Sequence, residues 1–313
     1  MKKAIPYAVI LLCFLVVPVF TQDLYWLGIM IMLMYKTIGS VSLRTIALSG
    51  NLSFSHGSFI ALGAYCTGIL AKELGLPPAV TLLAGALFAC LMSVITGLPF
   101  VRLRGVYYCM ASMFLGVAII YVIQALKITG GYRGLTSIPP MFDDINANYY
   151  FFLALTVFSL AAMYRFEHSR IGVTLRALAQ SQEVAASIGI NSAFFKLLSV
   201  GFGSFFAGLA GAGFALYSTV LSTTNYAMTF SLWLLMYMMI GGMDKFIGPI
   251  LGTIVFVMIS ELSRDFSSYA PYLSAAAMLV VAYLIPGGLA GIPDFVRSRR
   301  GRTKRMNFQK EAE

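Results

Sequence analysis

Charged side chains are scarce in this sequence. They make up 11% of its 313 residues, and hydrophobic residues make up 59%, whereas a soluble domain carries about 25% charged residues. This composition excludes an ordinary soluble domain. Apolar runs of roughly 17 to 25 residues recur along the chain, which is the length that crosses a bilayer as an α-helix. The sequence lacks the alternating segments of about ten residues that are typical of a membrane β-barrel.

Histidine and cysteine are also rare, with two and four residues. The cysteines lie inside apolar runs without CxxC spacing, so we expect neither a disulfide framework nor a zinc site. The sequence has no GxxxxGK[ST] phosphate loop and neither an HExxH nor a GxSxG motif. We therefore expect a chain that is not an enzyme, holds no metal or cofactor and has no ATPase site of its own. An intramembrane enzyme is the least favoured alternative.

The apolar runs predict an all-α membrane protein with about ten transmembrane helices, some of them short or discontinuous. The expected spans are 4–20, 24–48, 58–71, 79–98, 106–126, 149–164, 197–217, 230–240, 248–263 and 271–285. We expect the first to be a retained span, because no small-x-small cleavage site of a signal peptide follows it. The spans 58–71 and 230–240 are short for a bilayer, and short, glycine-interrupted segments are typical of discontinuous helices around a transport path.

The net charge of +10 is distributed unevenly between the predicted loops. Most arginines and lysines fall on one side of the membrane, and the other side carries only four: Lys72, Lys127, Arg133 and Arg264. Basic loops remain in the cytoplasm, so both termini are predicted to be cytoplasmic. We expect a transmembrane domain over residues 1–290 with a cytoplasmic loop at 165–196, followed by a basic cytoplasmic tail over 291–313. Because orientation and membrane lipid explain the positive charge, we expect no nucleic-acid partner.

Polar residues interrupt the apolar runs between the second and third spans. Irregular backbone at membrane depth is tolerated only where it is buried in protein or lines a cavity. The candidates for a translocation path are therefore Gly50, Asn51, Ser53, Ser55, His56 and Gly57. The alternative is a turn that caps two helices, with His56 as a hydrogen-bonded packing residue. Lys36 joins the candidates because ionisable residues within a span usually face the bundle interior. Arg44, near the end of the same span, is expected to reach the cytoplasmic surface.

Two further segments are rich in glycine and proline. The stretch "IGGMDKFIGPILG" places a compact turn between the eighth and ninth spans, either as a plain hairpin or as part of a gate; its residues are Gly241, Gly242, Gly248 and Pro249. The stretch from Lys127 to Tyr150 indicates a loop that is long enough to be functional. An ordered connector between spans is the alternative for that loop.

The predicted cytoplasmic loop contains the features of one short helix, from 182 to 188. Ser181 suits the N-cap position, Glu183 lies in the first turn where the helix dipole favours negative charge, and Gly189 suits the left-handed position after the helix. The small side chains that it presents are Ala185, Ala186 and Ser187. A helix this short is not stable alone, so we expect it to dock into a groove of a partner.

The stretch "EVAASIG" resembles the EAA loop of ABC-importer permeases, in which a glutamate, two small residues and a glycine six positions after the glutamate form the coupling helix. Val184 departs from the usual alanine. Five other stretches resemble, in the same order, the branched-chain amino-acid permeases of the LivM-like type: "LSFSHGSFIALGAY", "VRLRGVYYCMASM", "ITGGYRGL", "FFAGLAGAGFALY" and "IGGMDKFIGPILG". The resemblance covers residues 40–290, whereas Lys36 and Arg44 depart from the apolar span expected there.

The resemblance implies a multi-pass protein of the bacterial inner membrane that forms a pore with a second homologous permease. It also implies two cytoplasmic ATP-binding subunits that use the ATP, and an external solute-binding protein that delivers the substrate. The coupling residues would be Glu183, Ala185, Ala186 and Gly189. The external loop 130–148 would be the docking surface, and the halves 24–126 and 197–286 would be inverted repeats.

Branched-chain or similar amino acids are the substrates that the resemblance implies. Permeases of this type also serve urea, amides and other small polar solutes, which are the first alternative. An ion-coupled secondary transporter is the second alternative. It would need a carboxylate in the membrane, for which Glu261 is the one candidate.

Overall fold

In the computed structural model, the described residues are 23–264, 272, 275, 276, 279 and 288–291. The predicted spans 4–20 and most of 271–285, and most of the basic tail, lie outside them. Within residues 23–264 the secondary structure is helical, apart from one isolated β-bridge. Ten α-helices occur in this range: α1 Leu24–Ala47, α2 His56–Leu74, α3 Pro78–Phe100, α4 Gly105–Ala125, α5 Ile145–Glu167, α6 Arg170–Gln180, α7 Gln182–Ser187, α8 Ser192–Ser218, α9 Met228–Gly241 and α10 Gly248–Leu262.

Five of these helices, α1, α3, α4, α5 and α8, are long and apolar enough to cross a membrane. The prediction of an all-α membrane protein is confirmed. The third predicted span was wrong in length, because α2 has 19 residues and extends over about 28 Å at 1.5 Å per residue. Polar residues such as His56 and Lys72 lie near the ends of this helix. A span predicted from a run of apolar residues therefore stops before the helix ends. The helix α9 is short, as expected, with 14 residues. The inverted relation of the two halves stays a prediction.

The chain divides into two compact units, Met1–Leu235 and Met236–Glu313. In the first unit, α8 is the central helix and packs against α1, α2 and α3. Small residues permit this packing: a Cβ on Gly208 of α8 would lie 2.5 Å from the Cβ of Ala89 in α3. Close backbone contact of this kind drives helix association in membranes, where the hydrophobic effect between helices is absent.

The segment between α4 and α5 is an ordered connector. It contains two 3-10 turns, Lys127–Thr129 and Gly131–Arg133. Leu135 then pairs with Leu221 in the antiparallel bridge, with backbone N–O distances of 2.9 and 2.8 Å. The middle of the connector is anchored to the residues that follow α8. The structure thus shows the ordered connector that was the alternative, and a functional role of this segment stays a prediction.

Candidate functional site

The predicted cytoplasmic loop 165–196 forms two helices instead of one. The first of them, α6, precedes the expected short helix and was not predicted. Its buried residues are Gly172, Leu175 and Leu178, which recur at a spacing of three and so lie on one face. That spacing in "RIGVTLRALAQ" was the feature that could have revealed α6 as an amphipathic helix.

The expected short helix is α7, and its predicted caps are present. The Ser181 hydroxyl accepts a hydrogen bond from the Val184 amide at 3.3 Å, Glu183 lies in the first turn, and Gly189 has a φ of 81°. The helix ends at Ser187, one residue earlier than predicted. Both caps of α7 are thus formed by residues within or next to the helix.

Most of α7 faces away from the rest of the chain. Ala185 is buried, whereas Ala186 is exposed and the apolar side chains of Val184 and Ile188 are 65% and 72% exposed. Glu183 pairs with Arg104 at 3.4 Å, but both side chains are largely exposed, and such surface pairs contribute little to stability. The helix therefore presents small and apolar side chains outward.

The residues 48–55 between α1 and α2, here called the α1–α2 segment, carry most of the predicted path residues. Asn51, Ser53 and Ser55 are at most 3% exposed, and the hydroxyls of Ser53 and Ser55 lie 3.0 Å apart. The Gly57 amide, in the first turn of α2, donates to the Ser231 hydroxyl at 2.9 Å. From residue 51 to 55 the segment is thus irregular backbone largely buried in protein, which is the condition for its placement at membrane depth.

His56 is fully buried at the start of α2. Its Nε2 lies 2.8 Å from the Ser42 hydroxyl, and that hydroxyl donates to the Gly39 carbonyl at 2.9 Å. Because the single proton of Ser42 is used in this way, we assign the His56 proton to Nε2, which donates to Ser42. Nδ1 has no hydrogen-bond partner among the described residues.

A small pocket lies beside the α1–α2 segment. Its lining residues are Phe54, Ser58, Met113, Gly116, Val117, Tyr226, Met228 and Ser231. The pocket has no room for a water molecule, so any passage at this position is closed in the present conformation. None of the predicted path residues is among the residues that line this pocket. Gly50 is exposed and contacts Ala179, and Lys36 is half-buried on α1.

Arg44 was expected to reach the cytoplasmic surface, and this expectation was wrong. It is 2% exposed, and its guanidinium binds the carboxylate of Glu167, the last residue of α5, with Nη2 donating to Oε1 at 2.9 Å and Nη1 contacting Oε2. Arg176 of α6 donates to Glu167 Oε1 at 3.1 Å. Moving Arg44 to the surface would leave a buried carboxylate with fewer partners, which is costly. We call these three residues the Arg44–Glu167–Arg176 cluster.

The turn between α9 and α10 lies in the second unit. Gly242 has a φ of 101°, and a Cβ on Gly241 would overlap the Gly248 carbonyl. Pro249 lies in the first turn of α10, where its missing amide proton is not needed. The Lys245 ammonium donates to the Ala290 carbonyl at 2.9 Å. The compact turn is confirmed, and its role as a gate stays a prediction.

The comparison with protein families decides the identity of the chain. The family described as "Branched-chain amino acid transport system / permease component" matches residues 25–286. The chain belongs to this family. This is the family that the sequence resemblance indicated.

Two curated relatives of the permease are high-affinity branched-chain amino acid transport system permease proteins LivM. The protein of Escherichia coli (strain K12) is 27% identical over 274 residues, and the protein of Salmonella typhimurium (strain LT2) is 26% identical over 274 residues. Each alignment covers 78% of this chain and 64% of the relative, so the permease spans less than two thirds of their length. Among solved structures, PsaBC from Streptococcus pneumoniae in complex with Fab matches with a TM-score of 0.47 and 13% identity, over 85% of this chain and 93% of that chain.

Proposed function

We propose that this chain is the transmembrane permease subunit of an ATP-binding cassette importer that carries branched-chain or similar amino acids across the bacterial inner membrane. The observation that carries the proposal is the family match over residues 25–286. The two LivM relatives support the substrate class. The chain itself binds no cofactor, and its partner subunits use the ATP.

The cytoplasmic partners in this proposal are two ATP-binding subunits, and α7 is the element that contacts them. Its exposed Val184, together with Ile188 just after the helix, supplies apolar surface, and the small side chain of Ala186 is also exposed. A short helix with such a face fits a groove on a partner. Because α7 follows α6 after the single residue Ser181, movement of the helix is passed directly into the permease.

The orientation in this proposal follows from the excess of basic residues on the α6–α7 side. Both termini are cytoplasmic, and the connector between α4 and α5 is external. The connector exposes Tyr132, which is 77% accessible, together with Arg133. This surface is where an external solute-binding protein docks. A second homologous permease completes the pore.

The substrate path in this proposal runs past the buried polar residues of the α1–α2 segment. Backbone and hydroxyl groups there replace water for a polar solute inside the membrane. The pocket beside the segment is closed, and alternating access would open it. The solute-binding protein carries out most of the selection, so this chain needs only a short polar passage.

Purification in mild detergent from the native membrane tests the proposed assembly. A tagged chain is expected to bring with it two ATP-binding subunits and a second, similar permease, which mass spectrometry identifies. Recovery of the chain alone, together with uptake that survives loss of ATP and collapses with the ion gradient, would favour an ion-coupled secondary transporter. Uptake of urea or amides in place of leucine would contradict the proposed substrate class, while the proposal of an ATP-driven importer would stand.

A further inference from the structure

The Arg44–Glu167–Arg176 cluster joins three helices at one point. The Glu167 carboxylate, whose side chain is 5% exposed, accepts hydrogen bonds from both arginines. Arg176 also donates to the backbone carbonyl of Glu167 at 2.8 Å, so it binds the end of α5 twice. A Cβ on Gly172 would overlap the same carbonyl. The corner between α5 and α6 is therefore tightly closed, and α1 is attached to it through Arg44.

A second contact attaches α6 one turn after Arg176. Gly50, just after α1, has a φ of 80°, and a Cβ on it would lie 3.1 Å from the Cα of Ala179. Ala179 is the last residue but one of α6. The helix α6 is thus held against the end of α5 by Gly172 and Arg176, and against the α1–α2 segment by close backbone contact at Ala179.

A contribution to stability does not by itself explain why buried charged residues occupy this position. A buried ion pair loses much of its Coulombic attraction to desolvation, and well-packed apolar residues of similar volume are often as stable or more stable. Bidentate binding of a carboxylate by arginine, in contrast, has a defined geometry that apolar packing lacks. The arrangement of Arg44 and Glu167 therefore specifies the position of α5 and α6 relative to α1.

We propose that the Arg44–Glu167–Arg176 cluster is the joint through which movement of α7 reaches the transmembrane helices. The proposal rests on the proposed function, in which ATP-binding subunits move α7. Displacement of α7 moves α6, and the cluster makes α1 move together with α6. Because α1 leads into the buried α1–α2 segment, the movement arrives at the candidate path. Arg44, Glu167 and Arg176 are positioning residues in this scheme.

The test uses the full complex in proteoliposomes, with uptake of radiolabelled leucine and ATP hydrolysis measured on the same samples. Glu167→Gln retains the size of the side chain but removes the charge that holds both arginines. We expect uptake per ATP to fall about tenfold, within the usual range of coupling between sites, while hydrolysis continues. Arg165→Gln is the matched control, because Arg165 is exposed in the same turn of α5. Unchanged uptake per ATP in Glu167→Gln would overturn the proposal.

A double variant separates positioning from stability. Replacement of both partners, Arg44→Met with Glu167→Leu, removes the buried charges together and is expected to assemble as well as the wild type. If the cluster is a joint, uptake per ATP stays low in this variant, because apolar packing does not restore the bidentate geometry. Uptake per ATP at the wild-type value would show that the cluster only stabilises the fold, and would overturn the proposal.

A milder variant covers the case in which Glu167→Gln fails to assemble. The Arg176 side chain is 43% exposed, so Arg176→Gln leaves the Arg44–Glu167 pair in place. We expect uptake per ATP to fall about threefold, less than for the loss of the whole cluster, and a wild-type ratio would contradict the joint. If the wild-type complex shows no ATP-driven uptake, both the proposed function and the joint are overturned. If the wild type and the variants show the same uptake per ATP, the joint alone is overturned and the proposed function stands.

Discussion

Gly63 of α2 lies so close to Gly208 of α8 that a Cβ on Gly63 would be 2.5 Å from the Cα of Gly208. The two backbones are in contact at this point. Since helices in lipid associate through close packing, this contact is a main reason that α8 is the centre of the first unit.

Gly63→Ala is therefore expected to separate α2 from α8 and to lower the stability of the protein by about 1–3 kcal/mol, the usual cost of overpacking. The measurement is the melting temperature of the purified protein in detergent. Gly28→Ala is the matched control, because its Cβ would meet the Tyr217 hydroxyl at an ordinary 3.4 Å. Equal melting temperatures for the two variants would contradict the close contact.

The hydrogen bond between the Gly57 amide and the Ser231 hydroxyl gives a second stability prediction. Ser231→Ala leaves this buried amide without its acceptor, which costs about 1–3 kcal/mol, so the melting temperature is expected to fall. Ser187→Ala is the control, because the Ser187 hydroxyl is exposed and bonds only the nearby Val184 carbonyl. A fall of the same size in both variants would show that the Gly57 amide finds another partner.

The outward face of α7 gives a functional prediction. Glu183→Lys is expected to abolish ATP-driven uptake and to leave the amount of protein in the membrane unchanged, because the pair of Glu183 with Arg104 is exposed and contributes little to stability. Uptake by cells and an immunoblot of their membranes measure the two quantities. Glu73→Lys, at an exposed position in the last turn of α2, is the control. Normal uptake in Glu183→Lys would remove α7 from the coupling mechanism.

The docking role proposed for the connector between α4 and α5 is best tested by substitution. Deletion of the Gly131–Arg133 turn would disturb the bridge of Leu135 with Leu221, and so would affect the fold. Tyr132→Ala with Arg133→Ala changes exposed side chains only. The double variant is expected to weaken binding of the solute-binding protein about tenfold, as for loss of an aromatic and an arginine anchor, with basal ATP hydrolysis unchanged. Binding of the solute-binding protein at wild-type strength would place its docking surface elsewhere.

The sequence predicted the elements whose cause is local. The span 24–48 corresponds to α1 because a lipid environment requires a continuous apolar length, and the caps of α7 were predictable because Ser181 and Gly189 act within a few residues of the helix. The helix α6 was missed because its apolar residues alternate with polar and charged ones and form no long apolar run. Its three-residue period was nevertheless present in the sequence.

The environment of Arg44 was not predictable in the same way. Its partner Glu167 lies 123 residues further along the chain, and no local pattern relates the two. From the sequence alone, an arginine near the end of a span is expected to extend to the surface. Only the packing of α1 against α5 brings the carboxylate within reach, and the ion pair is therefore a product of the tertiary fold.

The most direct test of the proposed function is uptake of radiolabelled leucine into proteoliposomes that contain the purified complex, with the solute-binding protein outside and ATP inside. We expect uptake that requires ATP, stops when a non-hydrolysable analogue replaces it, and is lost in Glu183→Lys. Leucine uptake that proceeds equally without ATP would contradict the assignment of this chain to an ATP-driven importer.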